Sequence, residues 1–340
     1  MSTPRPAHEA RAAVLSAGSW GTAVAKILAD AGTDVIVHAR RPEITDAINT
    51  KHRNTAYWPD IKLPDSLTAT IDPQVALDGA DYLVLSIPAQ TLRTNLATWA
   101  PHIGPDTVIV SLMKGIEAST GLRASQVITD VTGLPAERVA VLSGPNLARE
   151  IMAGQPAAAT IACPDETVAH AFQQACHTPY FRPYTTTDVI GCELGGALKN
   201  VIALAAGIAD GVGTGHNAKA ALLTRGLAEM TRLGVAMGAN PATLAGLAGM
   251  GDLMATCSSP LSRNYSFGRH LGHGLTVDQA AATTRQTTEG VKSAEAVLGL
   301  ARSHGVEMPI TKVVCDLLYT KISLDQALAA LMQRPPKPEI

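Results

Sequence analysis

The feature that most constrains the fold is a turn near the start of the chain. Ala12 to Leu15 is a short apolar strand, and it runs into Ser16-Ala17-Gly18-Ser19-Trp20-Gly21, followed by the helix-like stretch Thr22 to Ala29. Gly32 then supplies a helix stop, and Val35, Ile36 and Val37 form a second apolar strand. The unit is therefore strand, helix, strand, the setting in which a GxGxxG-like turn carries meaning. Gly18 lets the backbone approach a pyrophosphate, Gly21 lets helix and strand pack closely, and amides at the helix start face negative charge. Ser16 breaks the pattern, since the first position of such a turn ordinarily holds glycine. A serine there costs about 1 to 2 kcal/mol if its φ is positive, and little otherwise.

The second strand leads into His38-Ala39-Arg40-Arg41, with no acid to bind ribose hydroxyls. Two guanidinium groups at that point suit a 2′-phosphate or an adenine face, so NADPH is expected to be accepted and preferred over NADH. The plainer reading is a pair of solvated arginines. Tyr57 lies in a polar loop from which it can touch the adenosine half or simply pack. Tyr82 to Ile87, Val108 to Leu112 and Val139 to Leu142 are short aliphatic runs separated by helix-length segments, as in a doubly wound parallel sheet. Pro88, Lys114 and the Gly144-Pro145-Asn146 turn fall just past strand ends, where a ligand crevice opens. A loop lysine usually faces solvent, so Lys114 is a candidate on position alone.

After Tyr180 to Thr185 the chain changes character to long Ala-, Leu- and Gly-rich helical segments, which places a domain boundary near Asp188. The expected organisation is a dinucleotide-binding domain over residues 1–188 and a helical substrate domain over 189–340. Glu193 to Ala209 reads as a helix that is apolar almost all round, with Lys199 and Asn200 in its middle. A lysine there either snorkels to the surface or is buried with a lowered pKa useful for proton transfer. Asp252, in the segment Gly249-Met250-Gly251-Asp252-Leu253, can accept a hydrogen bond from a lysine or a substrate hydroxyl, or act as a turn residue. Ser262-Arg263-Asn264 stands at a helix start, where amides and a guanidinium can hold a phosphate and where a capping role is the alternative.

Composition excludes more than it assigns. With 46% hydrophobic but only 4% aromatic residues, the apolar mass suits close-packed helices and buried parallel strands. A formal net charge of −2 without a basic stripe argues against nucleic acid. Met1 to Arg11 lacks the form of a targeting segment, and no later apolar run is read as approaching membrane-spanning length, so the cytoplasm is the expected location. Five cysteines without CxxC spacing suit a reducing compartment. His270 and His273 have no nearby ligands at metal spacing, and no metal is expected.

Taken together, Gly18-Ser19-Trp20-Gly21-Thr22-Ala23, Met113-Lys114-Gly115-Ile116-Glu117, Ser143-Gly144-Pro145, Gly195 to Ala203, Thr224 to Met230, Gly249 to Leu253, Ser262-Arg263-Asn264 and Glu289-Gly290 resemble the NAD(P)-dependent glycerol-3-phosphate dehydrogenase family of bacterial type. The resemblance runs from about Ala12 to Leu331. It implies a Rossmann-like doubly wound sheet followed by an all-α C-terminal domain, and interconversion of dihydroxyacetone phosphate and sn-glycerol 3-phosphate with NADPH or NADH. It implies that Lys199 moves the proton, with Lys114 and Asp252 around the reacting oxygen and Arg263 and Asn264 on the phosphate. Cofactor contacts are implied at Ser19, Trp20, Arg40, Arg41, Tyr57, Lys114, Ala148, Arg263, Thr287 and Glu289, and further substrate contacts at Gly144, Asn146 and Ser262. Ser16 stands where the family has glycine, and its consequence is expected in cofactor affinity rather than in the reaction. A related two-domain reductase of another keto compound and a catalytically silent NADPH-binding module remain as alternatives, and a homodimer is left open.

Overall fold

The computed structural model describes residues 9–283 and 288–333. Eight strands, β1 (Arg11–Leu15), β2 (Asp34–His38), β3 (Leu67–Thr70), β4 (Tyr82–Leu85), β5 (Val108–Ser111), β6 (Val139–Ser143), β7 (Ala157–Ala162) and β8 (Phe181–Thr186), form one sheet in the order 3-2-1-4-5-6-7-8. The first six are parallel and their order reverses between β1 and β4, which opens a crevice at their C-terminal ends. This is the doubly wound arrangement expected from the sequence. It is not wholly parallel, because β7 runs antiparallel to β6 and carries β8 as its parallel neighbour. Strands β3 and β7 escape a reading based on β-branched runs. One is four residues long, and the other, Ala-Ala-Ala-Thr-Ile-Ala, is mostly alanine.

Helices α1 (Ser19–Asp30), α2 (Pro42–Lys51), α3 (Pro73–Leu77), α4 (Leu92–Trp99), α5 (Ala124–Thr132), α6 (Ala148–Met152) and α7 (Glu166–Cys176) accompany the sheet. Side chains alternate along the strands into two cores. Val14, Val37, Val84 and Val110 join one, and Leu15, Leu85 and Ile109 the other. Burial on both faces explains why these strands read as continuous apolar runs.

The C-terminal half is helical, from α8 (Val189–Val212) and α9 (His216–Ala236) through α10 (Pro241–Ala245), α11 (Asp252–Ser258), α12 (Arg263–Gly272), α13 (Val277–Thr283), α14 (Glu289–Ser303), α15 (Pro309–Leu318) and α16 (Leu324–Met332). Asp188 caps α8 by accepting a hydrogen bond from the Gly191 amide at 2.8 Å. Contrary to the expectation that no apolar run reaches membrane-spanning length, α8 does so by length and composition. Its apolar window is 89% buried, however, because the other helices wrap it. It is a core helix, and apolar character on every side is what that position demands.

Helix α12 meets α8 along glycines. A Cβ on Gly207 would stand 2.0 Å from the Tyr265 carbonyl oxygen, and one on Gly268 would stand 2.1 Å from that of Leu204. The two backbones therefore touch. That contact fixes the start of α12, with Arg263 and Asn264, against the stretch of α8 that carries Lys199 and Asn200.

Candidate active site

The strand-to-helix turn ends in Gly18, the extended N-cap of α1, so the first amides of a twelve-residue helix point outward from Ser19 and Trp20. Gly21 is required by packing: a Cβ there would lie 2.1 Å from the Ser16 carbonyl oxygen. Asn54 braces the turn by donating to the Ala17 carbonyl and the Thr22 hydroxyl, both at 2.9 Å, and the Trp58 indole donates to the Ser19 carbonyl at 3.2 Å. Ser16 has φ 139°, a region essentially reserved for glycine, so the condition under which it costs stability is met. A glycine turn, free helix amides and space that side chains would fill are what a dinucleotide pyrophosphate requires.

The neighbouring cofactor candidates lie as follows. Arg40 and Arg41 are exposed beyond β2, with Arg41 loosely paired to Glu43 at 3.7 Å. Tyr57 is exposed at 37%, and Ala148 opens α6 half-buried against the sheet core. Thr287 lies outside the described residues.

Three of the predicted residues meet at one point. Lys114, just past β5, donates to Asp252 Oδ2 at 2.7 Å and to the Gly144 carbonyl at 2.9 Å. Lys199 donates to Asp252 Oδ1 at 2.6 Å and to the Thr256 hydroxyl. One carboxylate thus bridges two ammonium groups, and each ammonium keeps one hydrogen for a ligand. Lys199 does not snorkel: it is buried in α8, whereas Lys114 is half-buried. Burial, with Lys114 nearby, pushes the Lys199 pKa down to about 8 against the opposing pull of Asp252. A short π-helical turn, Leu247–Gly251, delivers Asp252 to this place.

A chain of amides ties the parts together. Asn200 donates to the Lys114 carbonyl at 2.9 Å and accepts from Asn264 at 2.9 Å, and Asn264 accepts from the Gly290 amide at 2.8 Å. Each member adjoins a predicted site residue, or is one. Asn264 keeps one amide hydrogen for a ligand. The Ser262 hydroxyl caps α12 by accepting from the Tyr265 amide at 3.3 Å, the role that the sequence left as the alternative. Arg263 is solvent-exposed as a residue, yet its guanidinium stands among enough protein to lower its pKa, with Glu289 and Tyr57 as charged or ionisable neighbours. Burial raises the pKa of Glu289 against the pull of Arg263.

Sequence reasoning gave no role to Thr256, Ser143 or Ser293. Thr256 stands one helical turn after Asp252 and had a readable signal in that spacing. Among the described residues, the buried hydroxyls of Ser143 and Ser293 have no partner, and neither does the side-chain amide of Asn146 nor Glu289 Oε2. Such orphaned groups are characteristic of places where a ligand completes the hydrogen bonding. A separate cavity of about 510 Å³, lined in part by Arg123, Asp188 and Asn240, contains none of the predicted site residues.

This geometry agrees with what comparison with known proteins finds. Residues 11–169 match the model of the NAD-dependent glycerol-3-phosphate dehydrogenase N-terminus, and residues 188–329 that of its C-terminus. The chain belongs to the NAD-dependent glycerol-3-phosphate dehydrogenase family. It is 61% identical to the glycerol-3-phosphate dehydrogenase [NAD(P)+] of Streptomyces griseus subsp. griseus over 98% of this chain and 99% of that one. It is likewise 61% identical to that of Thermobifida fusca, over 97% and 98%. The crystal structure of glycerol-3-phosphate dehydrogenase from Coxiella burnetii superposes with a TM-score of 0.90 at 36% identity, covering 96% of this chain and 99% of that one. Family membership makes the protein an NAD(P)-dependent oxidoreductase.

Proposed function

We propose that the chain interconverts dihydroxyacetone phosphate and sn-glycerol 3-phosphate, and that its product feeds glycerophospholipid synthesis. The observation that carries this reading is the Lys114–Asp252–Lys199 cluster at the C-terminal edge of the sheet. The bound nicotinamide cofactor supplies or receives the hydride at C2. In reduction, Lys199 gives its proton to the oxygen on C2, and in oxidation it takes that proton back. Asp252 keeps both ammonium groups in place, and Lys114 orients the carbonyl and stabilises the charge that develops on it. Arg263 with Asn264 and the α12 start holds the phosphate, which is remote from C2, so its binding energy serves orientation and desolvation at the reacting carbon. Gly144 and Asn146 complete the substrate wall, and Ser19, Trp20, Tyr57, Ala148 and Glu289 contact the cofactor.

The cytoplasm is the proposed setting, supported by five cysteines that are all free and buried. The test of the activity is direct. Purified protein supplied with dihydroxyacetone phosphate should oxidise NADPH or NADH and accumulate sn-glycerol 3-phosphate. Turnover of an unphosphorylated keto acid in preference to dihydroxyacetone phosphate would assign it another substrate.

Arg40 and Arg41 just past β2, a strand that ends on His38 rather than on an acid for the ribose hydroxyls, make NADPH at least as good a cofactor as NADH. The check is the ratio of kcat/KM values for the two. A value for NADH more than about tenfold higher, a gap of roughly 1.4 kcal/mol, would remove the 2′-phosphate role from these arginines.

A further inference from the structure

We infer that the Ser16 hydroxyl is itself a ligand for the cofactor pyrophosphate, an inference that rests on the nucleotide-binding reading of the turn. The Ser16 Oγ accepts a hydrogen bond from the Gly18 amide at 3.1 Å. The same oxygen stands 3.1 Å from the point where a Cβ on Gly18 would be. That point is the space Gly18 leaves open so that a pyrophosphate can approach the backbone. Ser16 therefore places a hydroxyl on the ligand side of the turn.

The donor count gives the direction of the effect. A hydroxyl has one hydrogen to donate and two lone pairs. One lone pair takes the Gly18 N–H, and no described residue accepts the hydroxyl hydrogen. Ser16 is half-buried while Ala12 to Leu15 before it are fully buried, so the free O–H has an open side. An anion at the α1 start is the acceptor that side can meet. The hydroxyl then relays the Gly18 amide onto a phosphate oxygen, and this contact compensates for holding a serine at φ 139°.

Ser16→Ala and Ser16→Gly separate the two components. Alanine keeps the strained backbone, removes the O–H and sets a methyl over the Gly18 amide. Glycine removes both strain and hydroxyl and leaves room for a water. A hydrogen bond to a charged group converts to at least about a tenfold change in Kd. Ser16→Ala should therefore raise the Kd for NADPH by at least about tenfold and Ser16→Gly by about threefold, with KM for dihydroxyacetone phosphate unmoved. The melting temperature of Ser16→Gly should exceed that of wild type, which separates strain from binding. A Ser16→Ala Kd within about twofold of wild type, or a Ser16→Gly Kd below it, would overturn the inference and leave the nucleotide-binding reading intact. Wild-type protein that binds no NADPH in the same titration would overturn both.

Discussion

Lys199→Met should lose at least about 100-fold in kcat while binding NADPH as wild type does and melting near the wild-type temperature. A positioned acid that protonates a developing alkoxide typically contributes about 10² to 10⁴ in rate, and methionine matches lysine in length without exchanging a proton. The structure explains why the fold should tolerate this change. Asp252 is held from both sides, so losing Lys199 leaves it paired with Lys114 at 2.7 Å rather than stranded as a buried lone charge. Lys199 is favoured over Lys114 because burial lowers its pKa to about 8, whereas Lys114 sits in a more open loop. Steady-state rates and a thermal melt decide it. Retention of more than a tenth of wild-type kcat would transfer the proton-moving role to Lys114.

Arg263→Ala should cut kcat/KM for dihydroxyacetone phosphate by at least about 100-fold, mainly through KM, and leave the slow turnover of unphosphorylated dihydroxyacetone nearly unchanged. Two charge-assisted hydrogen bonds from one planar guanidinium are worth several kcal/mol where water is displaced, more than a lysine's point charge supplies. Arg263 begins α12, the helix that glycines hold against α8, so its position relative to Lys199 is set by backbone contact. Equal loss on both substrates would mean that Arg263 holds the fold or the cofactor. Its neighbours Glu289 and Tyr57 make that a real alternative.

The sheet was legible in the sequence wherever burial on both faces left an unbroken aliphatic run, as at Val108–Ser111 and Val139–Ser143. It was not legible at β7, where alanines carry no strand signal, and the antiparallel turn of β6 onto β7 depends on tertiary packing that local pattern does not encode. The apolar girth of α8 signalled a buried lysine, but it also met the criterion for a membrane helix, and only the wrapping by other helices distinguishes the two.

For the site, residue types at strand ends and helix starts pointed to Lys114, Lys199, Asp252 and Arg263, because a charge in an apolar or glycine-rich segment requires a reason. What spacing could not show was their convergence. Lys114 and Asp252 lie 138 residues apart in sequence. Asn200 had no assigned role for the same reason: its function is to join Lys114 to Asn264, and neither is near it in the chain.

The most direct test of the account is the pH dependence of kcat/KM in both directions, which reads the free enzyme's groups, because one lysine must be protonated for reduction and unprotonated for oxidation. Below about pH 8 Lys199 carries its proton, and above it the proton is lost, with the midpoint belonging to the coupled Lys199–Asp252–Lys114 group. Reduction of dihydroxyacetone phosphate should therefore fall, and oxidation of glycerol 3-phosphate rise, through a common midpoint near pH 8, and Lys199→Met should show neither limb. Profiles that move in the same direction, or limbs that persist in Lys199→Met, would contradict the assignment of the proton to Lys199.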